Sequence, residues 1–293
     1  MLLGHKKQWN FLKKIAEQGF LPHAYLFCGQ EKLGKRKIAL DLASLLLGDQ
    51  AKSNSHPDLI LIEPEAKEIQ IAQIRDLIWK LSLKPYSTPI IVAIIDQAHL
   101  MNQEAQTCLL KTLEEPRGNA LLILITDKIQ YLFSTIISRA QIMKFYSVGE
   151  GEIRNYLKEQ GINDRDAEKI CKISAGKPGV AVELISDVRK LKSFQQKIDE
   201  LEKISKSALA LRFQYAKDLS EDPREITDTL CTWTSYFREK MLERIKGEKA
   251  EGGQKYSLEK MGSILRALQS ISFLISTTNV NSKLAMENLM LEL

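Results

Sequence analysis

The chain has 293 residues, 44% of them hydrophobic and 27% charged, which suits a folded globular protein of two or three domains and excludes a disordered one. A formal net charge of +5 over this length is too small to mark a nucleic-acid binder, although it leaves room for a locally basic face. No apolar run approaches the roughly 20 residues that span a bilayer, and His5 to Asn10 lack the apolar core of a signal peptide, so a cytoplasmic protein without membrane contact is expected.

Trp9, Leu12 and Ile15 fall on one helical face, and Gly19 follows where a left-handed C-cap would sit, which predicts a first helix over 8–18. Tyr25 to Cys28 reads as a strand. Gly29, Gly34 and Lys35 follow it, and Ile38, Leu42, Leu45 and Leu46 then recur at helical spacing up to Gly48. Asp49 to Asp58 is a polar connection, and Leu59 to Ile62 a short strand. A helical stripe of Ile69, Ile74, Leu77, Ile78 and Leu81 ends before Pro85, and Ile90 to Ile95 is a β-branched run suited to a strand covered on both faces. Asn102 is placed to cap a helix carrying Ala105, Leu109 and Leu113 that ends by Pro116, and strands are predicted at 120–126 and 142–146. Strands alternating with helices over this half indicate an α/β domain with a mostly parallel sheet.

Beyond Ser147 the strand signals fade. Short amphipathic helices carry Ile153, Tyr156 and Leu157, then Ala167, Ile170 and Ile173, with an interruption at Gly176-Lys177-Pro178-Gly179. Helices are predicted over 192–219, 224–246 and 257–293, the last broken at Asn279 to Ser282, with a loop at 247–254. The four cysteines, Cys28, Cys108, Cys171 and Cys231, form no CxxC pair, which signals neither a zinc site nor a disulfide framework.

The stretch from Tyr25 to Leu40 has the strand, loop and helix order of a phosphate-binding loop. In such a loop the glycines turn backbone N–H groups towards phosphate oxygens, the helix N-terminus adds partial positive charge, and the lysine reaches the outer phosphates. The hydroxyl residue that would ligate magnesium is replaced by Arg36, which cannot bind a cation. Asp96 stands at the end of the third strand, where an acid helps to hold magnesium, but the following position that would polarise water is Gln97, which cannot accept its proton. An acid at a strand end equally serves as a turn cap, and Lys35 without a metal could still hold a lone phosphate or sulfate; the residues alone leave both open.

At Asp96-Gln97-Ala98-His99-Leu100-Met101 and Leu109-Leu110-Lys111-Thr112-Leu113-Glu114-Glu115-Pro116 the chain closely resembles bacterial clamp-loader subunits of the AAA+ superfamily. His23 to Phe27, Thr135 to Arg139 and Asn279 to Leu289 match in the same order, so the resemblance spans nearly the whole chain. It implies an AAA+ P-loop NTPase-like α/β domain with a parallel sheet over 1–147, a small helical lid over 148–188 and an all-α collar over 189–293. The degenerate nucleotide site it implies comprises Gly29, Gly34, Lys35, Arg36, Asp96, Gln97, Thr126 and Gly179, the last standing where motor subunits offer a phosphate-sensing arginine. These departures are similar to those of the family's non-hydrolysing stator subunits.

The resemblance also implies that Ser138-Arg139 projects an arginine finger into a neighbour's ATP site, where the family motif has Cys and this chain has Ala140. An arginine near a helix end also serves as an ordinary surface ion pair, which the sequence leaves open. No cofactor is expected in this chain, with ATP and magnesium held by neighbours; the family's four-cysteine zinc module is missing because 48–58 holds no cysteine. The implied partners are gamma/tau-type ATPase subunits, the delta subunit, the sliding clamp and primer-template DNA. The rival readings are an ATP-hydrolysing gamma-type subunit and a separate DNA-binding AAA+ protein.

Overall fold

A computed structural model describes residues 3–48, 56–65, 67–116, 118–245, 256–278 and 280–293. The connection expected at Asp49–Asp58 falls, up to residue 55, outside the described residues, as do the 247–254 loop and Asn279. The chain divides into two compact units, the first formed by Met1–Tyr156 with Gly176–Gly179 and the second by Leu157–Ala175 with Val180–Leu293.

The first unit is built on a five-stranded, wholly parallel sheet of β1 (Ala24–Cys28), β2 (Leu59–Ile62), β3 (Ile91–Ile95), β4 (Ala120–Thr126) and β5 (Gln141–Lys144), in the spatial order β2-β3-β4-β1-β5. Alternating side chains divide between two cores. Ala24, Leu26, Ile91, Ala93, Ile95, Leu122 and Leu124 face α3 (Ile71–Leu81) and α4 (Gln103–Glu114), burying Ile74, Leu77, Ala105, Leu109 and Leu113. Tyr25, Phe27, Val92, Ile94, Leu121 and Ile123 face α1 (Lys6–Gln18) and α2 (Lys35–Leu47), burying Leu12, Ile38, Leu42 and Leu47. Cover on both faces explains why these strands read as continuous apolar runs. The predicted C-cap is present, with Gly19 left-handed and its N–H reaching Ala16 O. So is the N-cap of α4, where Asn102 Oδ1 accepts from Ala105 N at 2.8 Å.

Asp58 ties β2 to the entry of β3. Its buried carboxylate accepts from Tyr86 N at 2.6 Å, Ser87 N at 2.9 Å, Thr88 N at 3.1 Å and Thr88 Oγ1 at 2.8 Å. Burial alone would raise its pKa, but these donors outweigh it and hold the carboxyl down at about 2. Ser87, His56 and Asp58 lie within hydrogen-bonding reach of one another, yet His56 Nδ1 accepts from Asp58 N at 3.1 Å. The ring proton is therefore on Nε2, which donates towards Ser87 Oγ and cannot act as its base.

The helices that come next in the chain are α5 (Ser134–Ile137), α6 (Glu150–Glu159), α7 (Asp164–Ser174) and α8 (Pro178–Ser186), and the second unit is helical. The helix expected over 192–219 is two helices, α9 (Val188–Ile204) and α10 (Leu209–Leu219). Two hydroxyls explain the break: Ser205 Oγ donates to Glu202 O at 3.0 Å and Ser207 Oγ to Ile204 O at 2.8 Å, which competes with helix propagation. Arg212 then takes up two of the freed carbonyls, donating to Ser205 O at 3.0 Å and Ser207 O at 3.1 Å, and also reaches Met290 O near the C-terminus at 3.2 Å. The core lies between α11 (Pro223–Ile245), α12 (Leu258–Thr277) and α13 (Ser282–Glu292), around Leu230, Trp233, Phe237, Ile264, Leu268, Met286 and Leu289. Trp233 satisfies its indole N–H on Lys197 O at 3.1 Å. No helix among the described residues is long and apolar enough to cross a membrane.

Candidate functional site

In a parallel sheet the strand C-termini open on one edge, and there the topology gathers the loop after β1, Asp96 after β3 and Thr126 at the end of β4. Gly29 N donates to Thr126 O at 3.3 Å, which fastens the start of the loop to β4. A Cβ on Gly29 would overlap the Phe145 carbonyl, so the loop leaves the sheet through a space only glycine fits. Gly34 is left-handed, with φ of 91°, and turns the chain into α2.

Lys35 does not extend outwards. Its side-chain Nζ donates to Gly29 O and Gln30 O, both at 2.6 Å, so the ammonium is bound to the loop that would otherwise surround a phosphate. Burial pushes its pKa down, opposed by the carboxylates of Asp127, Asp96 and Glu31. Arg36 turns towards the sheet edge: its guanidinium pairs with Glu63, just beyond β2, and its Nη1 lies 3.4 Å from Asp96 Oδ2. The other Asp96 oxygen accepts from Gln97 N at 2.9 Å. Asp96 is thus held by the next residue's N–H on one oxygen and by Arg36 on the other. Gln97 is exposed and left-handed, with φ of 50°, a conformation uncommon for a residue with a Cβ.

Thr126 Oγ1 accepts from Lys128 N at 3.1 Å and lies 3.3 Å from His99 Nδ1, which is itself 3.1 Å from Asp127 Oδ1. A carboxylate can only accept, so the ring proton sits on Nδ1. Burial lowers the pKa of His99 despite that neighbouring acid. Gly179, at the start of α8 (Pro178–Ser186), donates its N–H to Lys32 O at 2.8 Å, and a Cβ built on it would lie 2.8 Å from the same oxygen. No larger side chain fits there unless the loop shifts.

Where a magnesium-bound nucleoside triphosphate would call for a metal-binding hydroxyl, the chain carries the Arg36 guanidinium, and Lys35 is engaged by loop carbonyls. Among the described residues no cluster of His, Cys, Asp and Glu could hold a metal ion.

Ser138 and Arg139 follow α5 (Ser134–Ile137), away from these groups in sequence. Arg139 Nη2 lies 2.8 Å from Glu114 Oε1 at the end of α4, and its Nη1 donates to Thr135 O at 3.1 Å. The ion-pair reading is therefore realised within the chain, with the guanidinium still a third exposed, its side chain at 35%. Sequence reasoning did not reach Glu63, Lys32, His99 and Asp127 as parts of the site. A carboxylate just past a strand end, facing an arginine that has replaced a metal ligand, was the available signal for Glu63.

A family model described as DNA polymerase III, delta subunit, matches residues 4–149. The delta prime subunit of Bacillus subtilis DNA polymerase III is 33% identical over 179 residues, 56% of this chain and 54% of that protein. The chain belongs to the DNA polymerase III delta prime family. The delta prime subunit of Pseudomonas aeruginosa is 29% identical over 238 residues, covering 72% of this chain and 70% of that one. The match thus spans about half the length of the first of these relatives and somewhat more of the second. Gamma subunits are also similar, that of Buchnera aphidicola subsp. Schizaphis graminum being 27% identical over 56% of this chain and 51% of its own length. In fold, the chain is similar to a DNA polymerase III gamma subunit-related protein of Thermotoga maritima, with a TM-score of 0.57 and 20% identity over 97% of each chain. That likeness places the α/β unit and the helical region that follows in the AAA+ fold.

Proposed function

We propose that this chain is the stator of a bacterial clamp loader: a subunit that does not hydrolyse ATP itself, helps to place the sliding clamp on primer-template DNA, and lends Arg139 to the ATP site of a neighbouring gamma/tau-type subunit. On this reading it works in the cytoplasm, residues 148–188 act as the lid, and 189–293 as the collar that meets the motor and delta subunits. The observation that carries the proposal is the arrangement of Lys35 and Arg36. Both cations are satisfied by the chain's own carbonyls and carboxylates, at Gly29, Gln30, Glu63 and Asp96. Gln97 in place of a water-polarising acid and the steric closure at Gly179 support it independently.

Arg139 in trans is supported by its exposure and chemistry: a guanidinium fork stabilises charge developing on a transferred phosphoryl group, on the order of 10³-fold or more in other NTPases. Two measurements test the reading. Titration calorimetry of the isolated chain with magnesium ATP should show no saturable binding, and micromolar binding would return the gamma-type reading to first place. In a loader reconstituted with its motor subunits, Arg139→Ala should slow DNA-stimulated ATP turnover without impairing assembly; unchanged turnover would remove the trans role. The similarity to gamma subunits supports the motor as the alternative, and on that alternative the unmodified chain would itself hydrolyse ATP.

A further inference from the structure

We propose that Glu114 is the positioning residue for Arg139. This rests on the reading of Arg139 as a group that acts on a neighbour's phosphate. Glu114 closes α4 in the last turn, where the helix dipole disfavours negative charge, and Glu115 follows it. An acid there does not serve its own helix. Its carboxylate instead lies 2.8 Å from Arg139 Nη2, while Arg139 Nη1 reaches back to Thr135 O at 3.1 Å and Ser138 Oγ at 3.5 Å.

Together these contacts fix a side chain that otherwise samples many rotamers. Nη2 is held from α4 and Nη1 from the end of α5, so the plane of the fork is set from two directions. The pair is partly open to solvent, with side-chain exposures of 35% for Arg139 and 48% for Glu114, so a second molecule can reach the guanidinium. An ion pair this exposed adds little to folding stability. Its consequence is geometric: an arginine acting on a phosphoryl group loses rate steeply when displaced by about an ångström. Glu114 also makes the finger's setting depend on the position of α4, so a shift of that helix turns the guanidinium.

The test is steady-state ATP turnover of the reconstituted loader with four versions of this subunit: Glu114→Gln, Glu114→Asp, Arg139→Ala and the Glu114→Gln/Arg139→Ala double variant. Positioning predicts that Glu114→Gln lowers kcat by about tenfold or more with KM for ATP unchanged, that Glu114→Asp recovers part of the loss, and that Glu114→Gln has no further effect once Arg139 is gone. Unchanged or faster turnover with Glu114→Gln, alongside a slow Arg139→Ala, overturns the positioning role while leaving the finger in place. An equal fall with Glu114→Gln in the presence and absence of Arg139 also overturns it, because the effect would not pass through the arginine. If Arg139→Ala turns over as the parent does, the finger reading itself fails and the positioning role with it.

Discussion

Replacing Asp58 by Asn tests how the first unit is held together at the β2 and β3 edge. In the folded chain the carboxyl is 3% exposed and titrates at about 2 instead of the ordinary 3.8, because the donors on Tyr86, Ser87 and Thr88 outweigh burial. Each pKa unit is worth ~1.36 kcal/mol, so ionised Asp58 stabilises the fold by about 2 kcal/mol at neutral pH. The folded value is the depressed one, so this stability is fully present above the unfolded value near 3.8 and is lost as pH falls through about 2; roughly half of it remains at pH 3. Asn is neutral at every pH and offers one acceptor in place of two. Urea unfolding should therefore show the variant about 2 kcal/mol less stable at pH 7, with the deficit narrowing at pH 3. Hydrogen exchange adds a local readout, since the amides of Tyr86, Ser87 and Thr88, which all donate to Asp58, should lose protection first. A variant as stable as the parent at pH 7, or a deficit that does not narrow on acidification, would refute the reasoning.

Arg36→Thr should lower stability by less than about 1 kcal/mol, because the guanidinium that makes both ion pairs is itself exposed to solvent, and by itself should not yield ATP hydrolysis; thermal melts and a phosphate-release assay check the two halves. Gly29→Ala should be severe, about 3 kcal/mol or more, since its Cβ meets backbone at the Phe145 carbonyl and cannot be relieved by a rotamer; a normal melting curve for that variant would count against the loop geometry. Arg212→Met should destabilise the helical unit by about 2 to 3 kcal/mol, because it leaves the carbonyls of Ser205, Ser207 and Met290 without their donor. Denaturation followed through Trp233 fluorescence, with Trp9 and Trp79 replaced by Phe in every sample, reads that unit, and no loss would mean that water replaces the guanidinium there.

Most of the α/β half is legible because its signals are local. A strand covered on both faces shows an unbroken apolar run, as at Ile91–Ile95, and caps such as Asn102 and Gly19 carry their own hydrogen-bonding chemistry. The short helix at Ser134–Ile137 and the 3₁₀ turns at Ala98–Leu100 and Ile129–Tyr131 are too brief to show a period. The break at 205–208 escaped for a different reason: the apolar stripe continues through it, and the interruption comes from serine hydroxyls and a distant arginine. In the site, the identities of Lys35, Arg36, Asp96 and Gln97 and what each residue type can or cannot bind were readable. Their partners were not. Glu63 and Glu114 become visible only when sheet order brings the end of β2 beside β3, and when the chain after α5 returns to the end of α4.

On the proposed stator reading, the arginine held between Glu63 and Asp96 bears on how easily such a subunit could regain a nucleotide. Restoring a small hydroxyl at position 36 removes the cation but leaves Glu63, Asp96 and Asp127 as carboxylates around the place where polyphosphate would have to enter, with Lys35 still turned into the loop. The first step back would therefore create an acidic pocket that repels its ligand. On the proposed reading of a subunit that does not hydrolyse ATP, recovery needs coordinated changes at position 36, at these carboxylates and in the loop that holds Lys35, so the loss works as a ratchet that no one substitution reverses.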